Sequence, residues 1–406
     1  MRKPRPESFA VAALLTALVA LGPISTDLYL PSLPALRGAL GTDVAMVQLT
    51  LSVFLGAFAA GQLIYGPLSD RFGRLPVLLI GVGLYFLAGL ACALAPSIEV
   101  LIAFRFLQAV GACSGVVLGR AVVRDIHGRE RTAKVFAYMG AAMALAPLIG
   151  PVLGGQIEVW FGWRANFLCL AAFGGACLIG VWLMLSETNR QPDPRALDPR
   201  RLASNLRRML GDRAYVGYVL CAAFSFSGLF AFISGSSFVL IDQVGLGPDR
   251  YGLCFGAIVV GYICGTTAAG RLTLGLGTDR LIAVGVTVNA LAGGAMAALA
   301  WGGLVPVGLG GVIAIVGPMF VYMIGMGITL PNAMAGAIGP FPAMAGVASA
   351  LLGFIQMGTA ALVGVGVGHL DDATARPMAT AIALMGVVAL AVFLGVLRPA
   401  RAEALG

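Results

Sequence analysis

The chain has 406 residues, of which 59% are hydrophobic and 11% charged, and its mean hydropathy is +0.94. A soluble domain carries roughly 25% charged residues, and a water-soluble fold of this length could not hide so much apolar surface, so the bilayer is the solvent for most of the chain. The net charge of +8 does not mark a nucleic-acid face, because the basic residues sit in short clusters between apolar runs and only Lys3 and Lys134 are lysines.

The N-terminus resembles a signal peptide, with Arg2, Lys3 and Arg5 ahead of an apolar run. That run is too long for one and meets no small-residue cleavage site, so it reads as a first span near 9–29. Asp27, towards the end of this span, is the only carboxylate that the pattern embeds in an apolar run. It reads either as a group that binds a proton or substrate inside the membrane, or as a helix-end aspartate facing water, since Pro31 and Pro34 follow closely. Windows of about 20 apolar residues place five more spans near 45–67, 76–95, 98–119, 135–156 and 164–185. After a polar stretch, six others fall near 215–240, 251–272, 280–301, 305–329, 343–367 and 377–397.

Between the second and third spans stands Gly66-Pro67-Leu68-Ser69-Asp70-Arg71-Phe72-Gly73-Arg74. Gly73 permits a tight reversal with positive φ, and Asp70, Arg71 and Arg74 make a charge cluster at the membrane surface. Arg105 lies about seven residues into the fourth span, roughly 10 Å below the surface at 1.5 Å per residue. A charge at the bilayer centre costs about 2.5–3.5 kcal/mol on translocon scales, so Arg105 is a functional candidate, or else a structural arginine bonded to neighbouring carbonyls. Gln108 and Ala112 share its helical face, which predicts a polar strip directed at a central cavity. In the fifth span, Gly150 and Gly154 stand four apart, a spacing that permits close helix packing, and Pro151 removes a helical hydrogen bond. The following Gly155 completes a run that begins at Pro147.

The stretch from Glu187 to Arg213 is rich in arginine (Arg190, Arg195, Arg200, Arg201, Arg207, Arg208 and Arg213). It divides the chain into two six-span units, 1–186 and 214–406, joined by a basic linker over 187–213. With the N-terminus inside, only Arg37, Arg164, Arg250 and Arg376 fall in loops on the opposite side, so the positive-inside rule puts the linker and both termini in the cytoplasm. The loop of the second half that corresponds to 66–74, Arg271 through Arg280, keeps only scattered glycines and arginines. The seven cysteines all lie in apolar stretches with no CxxC pair, which reads as buried thiols, with no metal site and no disulfide framework. His127 and His369 fall in predicted loops, where neither makes a proton relay.

Two six-helix halves joined by a cytoplasmic linker is the layout of the major facilitator fold, and residues 66–74 closely resemble that superfamily's signature between helices 2 and 3. The resemblance implies that Gly66, Asp70, Arg71, Gly73 and Arg74 form a gating latch, weakened here because Leu75 stands where the family usually has a further basic residue. The run Gly150, Pro151, Gly154, Gly155 resembles the signature associated with antiporters, with Ala146 replacing one glycine. Together with Thr26-Asp27-Leu28-Tyr29-Leu30-Pro31, Arg105-Phe106-Leu107-Gln108, Gly325-Met326-Gly327, Pro331-Asn332 and Ala345-Gly346-Val347-Ala348-Ser349-Ala350, these motifs are similar to the bicyclomycin and chloramphenicol resistance (Bcr/CflA) group of drug/proton antiporters.

That resemblance implies proton coupling through Asp27 and Arg105, and a substrate cavity lined by Tyr29, Gln48, Gln108, Tyr262, Tyr322, Asn332 and Gln356, each of which serves equally well as a packing residue. Gln62 and the stretch Phe224-Ser225-Phe226-Ser227 belong with them. Val19 stands where some multidrug members carry another acid, which favours neutral or zwitterionic substrates. The implied protein is a monomer of the bacterial inner membrane that exports drugs, is driven by the proton gradient and needs no cofactor. The alternative is proton-coupled import of a small metabolite. A membrane-embedded enzyme would need acids, His or Cys clustered at one depth, and a nucleotide-driven pump would need GxxxxGK[ST]; the sequence contains neither.

Overall fold

The computed structural model describes residues 8–126, 129–189 and 191–405. Arg2, Lys3, Arg5, His127, Arg190 and the side chain of Lys134 lie outside the described residues. All regular structure among those residues is helical, and twelve of the helices are long and apolar enough to cross a membrane.

The first unit contains α1 (Phe9–Asp27), α2 (Val44–Phe72), α3 (Arg74–Ala93), α4 (Ile98–Ile126), α5 (Arg129–Phe161) and α6 (Trp163–Met184). The second contains α7 (Arg213–Ser237), α8 (Pro248–Leu276), α9 (Thr278–Trp301), α10 (Leu309–Ile338), α11 (Ala345–His369) and α12 (Arg376–Val392). Short polar side chains start several of them. The Asp43 carboxylate accepts the Met46 amide at 2.8 Å ahead of α2, and Asp212 accepts the Tyr215 amide at 2.8 Å ahead of α7. Each satisfies a donor that the first helical turn leaves free.

Helix pairings repeat between the halves. The contacts α1 with α4, α5 and α6, α2 with α4, and α3 with α4 and α6 have counterparts in α7 with α10, α11 and α12, α8 with α10, and α9 with α10 and α12. The halves meet along α2–α11 and α5–α8, which exchange under the same correspondence. Two six-helix bundles are therefore related by a pseudo-two-fold axis. Large apolar side chains such as Ile80, Trp182, Leu291 and Leu362 point outward and stay exposed, as helices solvated by lipid require.

The end of the molecule near residues 187–213 is here called the linker end, and the opposite end the far end. At the far end three polar contacts among the described residues join the bundles. Ser237 donates to the Leu30 carbonyl at 2.8 Å, Ser234 donates to Gln48 Oε1 at 3.0 Å, and Arg37 pairs with Asp242 at 3.5 Å.

Several features depart from the sequence expectation. Helices α4 and α10 run on to Ile126 and Ile338, and Cys169 and Cys264 are exposed rather than buried. Helix α5 runs on to Phe161, five residues past the expected limit, and so carries Glu158 within a span. The linker holds an amphipathic helix, Pro199–Leu210, capped by Asp198, with Met209 buried and Arg200, Arg201, Arg207 and Arg208 exposed. His369 is not in a loop but ends α11, where its Nδ1 lies 2.9 Å from the Val365 carbonyl.

Candidate functional site

Helix α1 ends at Asp27, and the chain continues through a tight turn, Leu30–Ser32, into the short helix Leu33–Ala39. Pro31 and Pro34 impose this irregular passage, because neither can donate a helical hydrogen bond. The passage stays inside the protein: Asp27 is 3% exposed and Ser32 fully buried. Asp27 therefore does not face water. Among the described residues its one side-chain hydrogen-bond partner is the Thr26 hydroxyl, 3.2 Å from Oδ1, which also reaches the Pro23 carbonyl at 2.8 Å.

What lies against Asp27 is the glycine stripe of α5. A β-carbon on Gly150 would stand 3.0 Å from the Asp27 Cβ, and one on Gly154 would strike the Leu28 carbonyl. Close backbone approach is thus the reason for glycine at these positions. Gly155, on the neighbouring face of α5, meets the Pro248 carbonyl and Asp249 of α8, while Gly252 of α8 abuts Pro151 and Val152. The predicted antiporter run is the seam at which α1, α5 and α8 converge, and Asp27 sits in that seam.

Arg105 is fully buried. Its guanidinium stacks 4.2 Å from the Phe54 ring centroid and 4.5 Å from that of Tyr29, with Phe167 at 5.9 Å, and its Nη1 donates to Gln108 Oε1 at 2.7 Å. Nε and Nη2 find no hydrogen-bond partner among the described residues. The Tyr29 hydroxyl is held 3.0 Å from Thr50 Oγ1. A buried cation of this kind is retained by ring quadrupoles rather than by a carboxylate. The polar strip of α4 thus points into the first bundle, towards α1, α2, α3 and α6, and not at a central cavity; Gln108 stands beside Gly89 and Cys92 of α3.

No ion pair joins Asp27 to Arg105; the two occupy different faces of the α1 terminus. Arg105→Lys is expected to lose about 2 kcal/mol of stability, because a compact ammonium cannot stack between two rings as a guanidinium does. Thermal unfolding in detergent checks it.

At the linker end, Gly73 takes φ 96° and ψ 153° between α2 and α3. Arg74 Nη1 donates to Asp70 Oδ1 and to Ser69 Oγ, both at 2.6 Å, and its Nε donates to Asp125 Oδ2 at 3.1 Å. Glu187, just after α6, accepts the amides of Arg74 at 2.9 Å and Leu75 at 3.1 Å. Leu75, the departure from the signature, contributes its amide to this cap. Arg71 lies over Phe72 at 5.2 Å, and Gly66 has open space around it. The signature charges are therefore bonded within their own half.

The second half repeats this turn more closely than its sequence implies. Gly277 takes φ 80° and ψ 157°, and Asp279 in the first turn of α9 accepts from the Tyr218 hydroxyl and, at 3.0 Å, from Arg401 Nε. In one half a carboxylate trailing the last helix grips the turn; in the other an arginine trailing the last helix does so, with the charges exchanged. Arg401, Tyr218 and Asp212 border a cavity of about 460 Å³ at this end, together with Tyr215, Gly336 and Phe341.

Partial burial works against ionisation of Glu187, but the backbone amides of Asn189, Arg74 and Leu75 outweigh it and hold the carboxyl below the usual glutamate range. The stabilisation is therefore complete above about pH 4.3, the ordinary glutamate value, and is lost as the pH falls through the lower folded value. Glu187→Gln is expected to cost about 1 kcal/mol at neutral pH. Its melting curve should converge with that of the parent protein only in acid.

The other predicted cavity residues are dispersed. Gln48 bridges the halves through Ser234, and Gln62 lies against Gly353 of α11. The Tyr322 hydroxyl donates to the Ser225 carbonyl at 3.1 Å, and Asn332 joins α8 through Thr273 at 3.0 Å, both inside the second bundle. Tyr262 is half-buried and Gln356 buried, and Ser227 donates to Thr359 at 3.3 Å.

Besides the contacts at the two turns and between the halves, further buried polar groups escaped the sequence reading. Glu158 accepts a hydrogen bond from Ser32, which in turn accepts from Asn166 Nδ2 at 2.8 Å. Asn289 is buried with neither amide atom bonded among the described residues, and stands as many residues past Gly277 as Tyr85 does past Gly73. The spacing of four from Gly154 to Glu158 was the available signal for the first of these.

The family profile described as Major Facilitator Superfamily matches residues 15–365. The chain is 30% identical over 372 residues to the bicyclomycin resistance protein homolog of Haemophilus influenzae, covering 91% of this chain and 92% of that protein. It is 31% identical over 358 residues to the chloramphenicol resistance protein of Pseudomonas aeruginosa, covering 86% and 82%. The crystal structure of a D-xylose-proton symporter matches with a TM-score of 0.77 over 96% of this chain and 97% of that one; at 16% identity it speaks to the fold alone.

Proposed function

The chain belongs to the major facilitator superfamily of transporters, and we propose that within it the protein exports small antibiotic-type molecules in exchange for protons by alternating access. The observation that carries this reading is Asp27, a carboxylate sealed in the α1–α5–α8 seam with a single hydroxyl partner. A lone buried acid can remain there neutral at little cost, whereas its ionised form needs water or a partner. It is thus suited to take up a proton when the seam opens and to give it up on the other side. Because the seam contains the contact between the two halves, protonation and the movement of the halves share one element.

The relatives' names support drugs as the cargo, with bicyclomycin- or chloramphenicol-type compounds as the first candidates. The linker end faces the cytoplasm of a bacterial inner membrane, following the arginine distribution, and the far end, where the halves touch, faces outward. The transporter works as a monomer, with the proton gradient as its energy source. Arg105 acts from within the first bundle by setting the position of Tyr29, two residues from Asp27, rather than by direct pairing with the acid.

Cells expressing the protein are expected to accumulate less labelled chloramphenicol and bicyclomycin than control cells, and a protonophore should abolish the difference. Higher accumulation in expressing cells would point to import and overturn the reading.

A further inference from the structure

The glycine stripe of α5 does not end with glycine. Gly150, Gly154 and Glu158 stand at successive spacings of four, so all three lie on the face that α5 turns to α1. Their partners on the other side of the seam also run in order: Gly150 against Asp27, Gly154 against Leu28, and Glu158 against Ser32. Over the eight residues from Gly150 to Glu158 the helix rises about 12 Å. Two carboxylates thus sit on one seam, one sealed at 3% exposure and the other half-buried at the far end, with the Gly154–Leu28 backbone contact between them.

The far-end carboxylate is held in place deliberately. Ser32, itself fully buried, donates to Glu158 Oε2; Asn166, also fully buried, donates through Nδ2 both to Ser32 and to the Gly154 carbonyl at 3.2 Å. The same asparagine therefore ties the acid's partner to the glycine plug. The charged residues at the far-end starts of the neighbouring helices are Arg164 of α6 and Asp249 and Arg250 of α8. Arg164 is engaged with the Trp163 ring and the Ala95 carbonyl, and Asp249 lies against Gly155.

We propose that Glu158 is the far-end proton port of the transport cycle, holding a proton outside the Gly154–Leu28 plug and passing it around that plug to Asp27, along the side of the α1–α5 contact that α8 uncovers when α5 and α8 separate. This rests on the reading of Asp27 as the exchangeable acid. A proton from far-side water adds to the Glu158 carboxylate. On opening, it moves through water in the widened seam to the Asp27 carboxylate, leaving Glu158 ionised and bonded to Ser32 again. No cofactor or other reactant takes part.

The test needs no knowledge of the cargo. Infrared spectra of the reconstituted protein at acid pH, transferred to D2O, follow the exchange of protonated carboxyl C=O bands. Asp27→Asn should remove a slowly exchanging band and Glu158→Gln a faster-exchanging one. In Glu158→Gln the remaining Asp27 band should exchange about tenfold more slowly or worse, in line with the contribution of a positioned acid–base group. Ser32→Ala, which keeps the carboxylate but frees it from α1, should slow exchange in the same direction, and guards against a folding defect in the first variant. An Asp27 band that exchanges at the parental rate in both variants would overturn the port while leaving the Asp27 reading intact. An Asp27→Asn spectrum identical to that of the parent would remove that reading, and the port with it.

Discussion

Asp27→Asn is expected to leave the transporter folded and to abolish proton-driven transport. The amide is nearly isosteric and keeps the acceptor used by Thr26, so neither the packing against Gly150 nor the end of α1 is disturbed. What disappears is the ability to change charge. A carrier without its exchangeable proton loses the coupling of drug movement to the gradient, while downhill exchange of drug across the membrane continues. The expected pattern is loss of concentrative efflux with unchanged thermal midpoint and retained drug binding. Equal loss of binding and of stability would show instead that Asp27 is structural. Concentrative efflux at the parental rate would remove it from the mechanism.

The second large effect is expected from Gly155→Leu. This glycine lies where α5 meets the first turn of α8, and its β-carbon would meet the Pro248 carbonyl and come within 3.3 Å of Asp249 Cα. The obstacle is backbone, which cannot rotate away as a side chain can. Because α8 belongs to the other bundle, the strain is relieved by parting the halves at the far end and not by unfolding either one. Overpacking costs about 1–3 kcal/mol, equivalent to roughly a 5- to 150-fold shift between two conformations. Spin labels on exposed far-end positions of α6 and α9 should report a longer distance distribution in the variant. Gly140, which has open space around it, provides the control: Gly140→Leu on the same helix should leave the distribution unchanged.

Hydropathy alone made the twelve helices legible, because a span has no other way to satisfy its backbone in lipid. The limits of α5 were less so. Glu158 lowers the apolar score at its end, and the helix continues past it because Ser32, itself held by Asn166, donates to the carboxylate. Helical periodicity also placed Arg105 and Gln108 on one face correctly, but periodicity gives angles between residues of one helix and not the identity of the neighbour. The strip turns inward because Phe54, Tyr29 and Phe167 offer ring faces to the guanidinium, and those residues come from two other helices and the turn after α1.

The turn at Gly277 illustrates a different limit. Residues 271–280 have little in common with 66–74, yet the backbone reversal is the same and a grip from the trailing segment is kept. Asp279, Tyr218 and Arg401 are far apart in the chain, so no local pattern joins them. The halves have preserved a mechanical connection while exchanging which partner carries the negative charge. In both, the segment after the last helix is tied to the turn between the second and third helices, so each bundle is braced at the linker end independently of the other.

The direction of proton movement on adding drug tests the central claim most directly. In everted membrane vesicles with an established inside-acid gradient, read by a pH-sensitive dye, addition of chloramphenicol or bicyclomycin should release protons from vesicles containing the parent protein. Vesicles containing Asp27→Asn should release none. Proton movement into the vesicles with the drug, or release of equal size from the Asp27→Asn vesicles, would contradict the account.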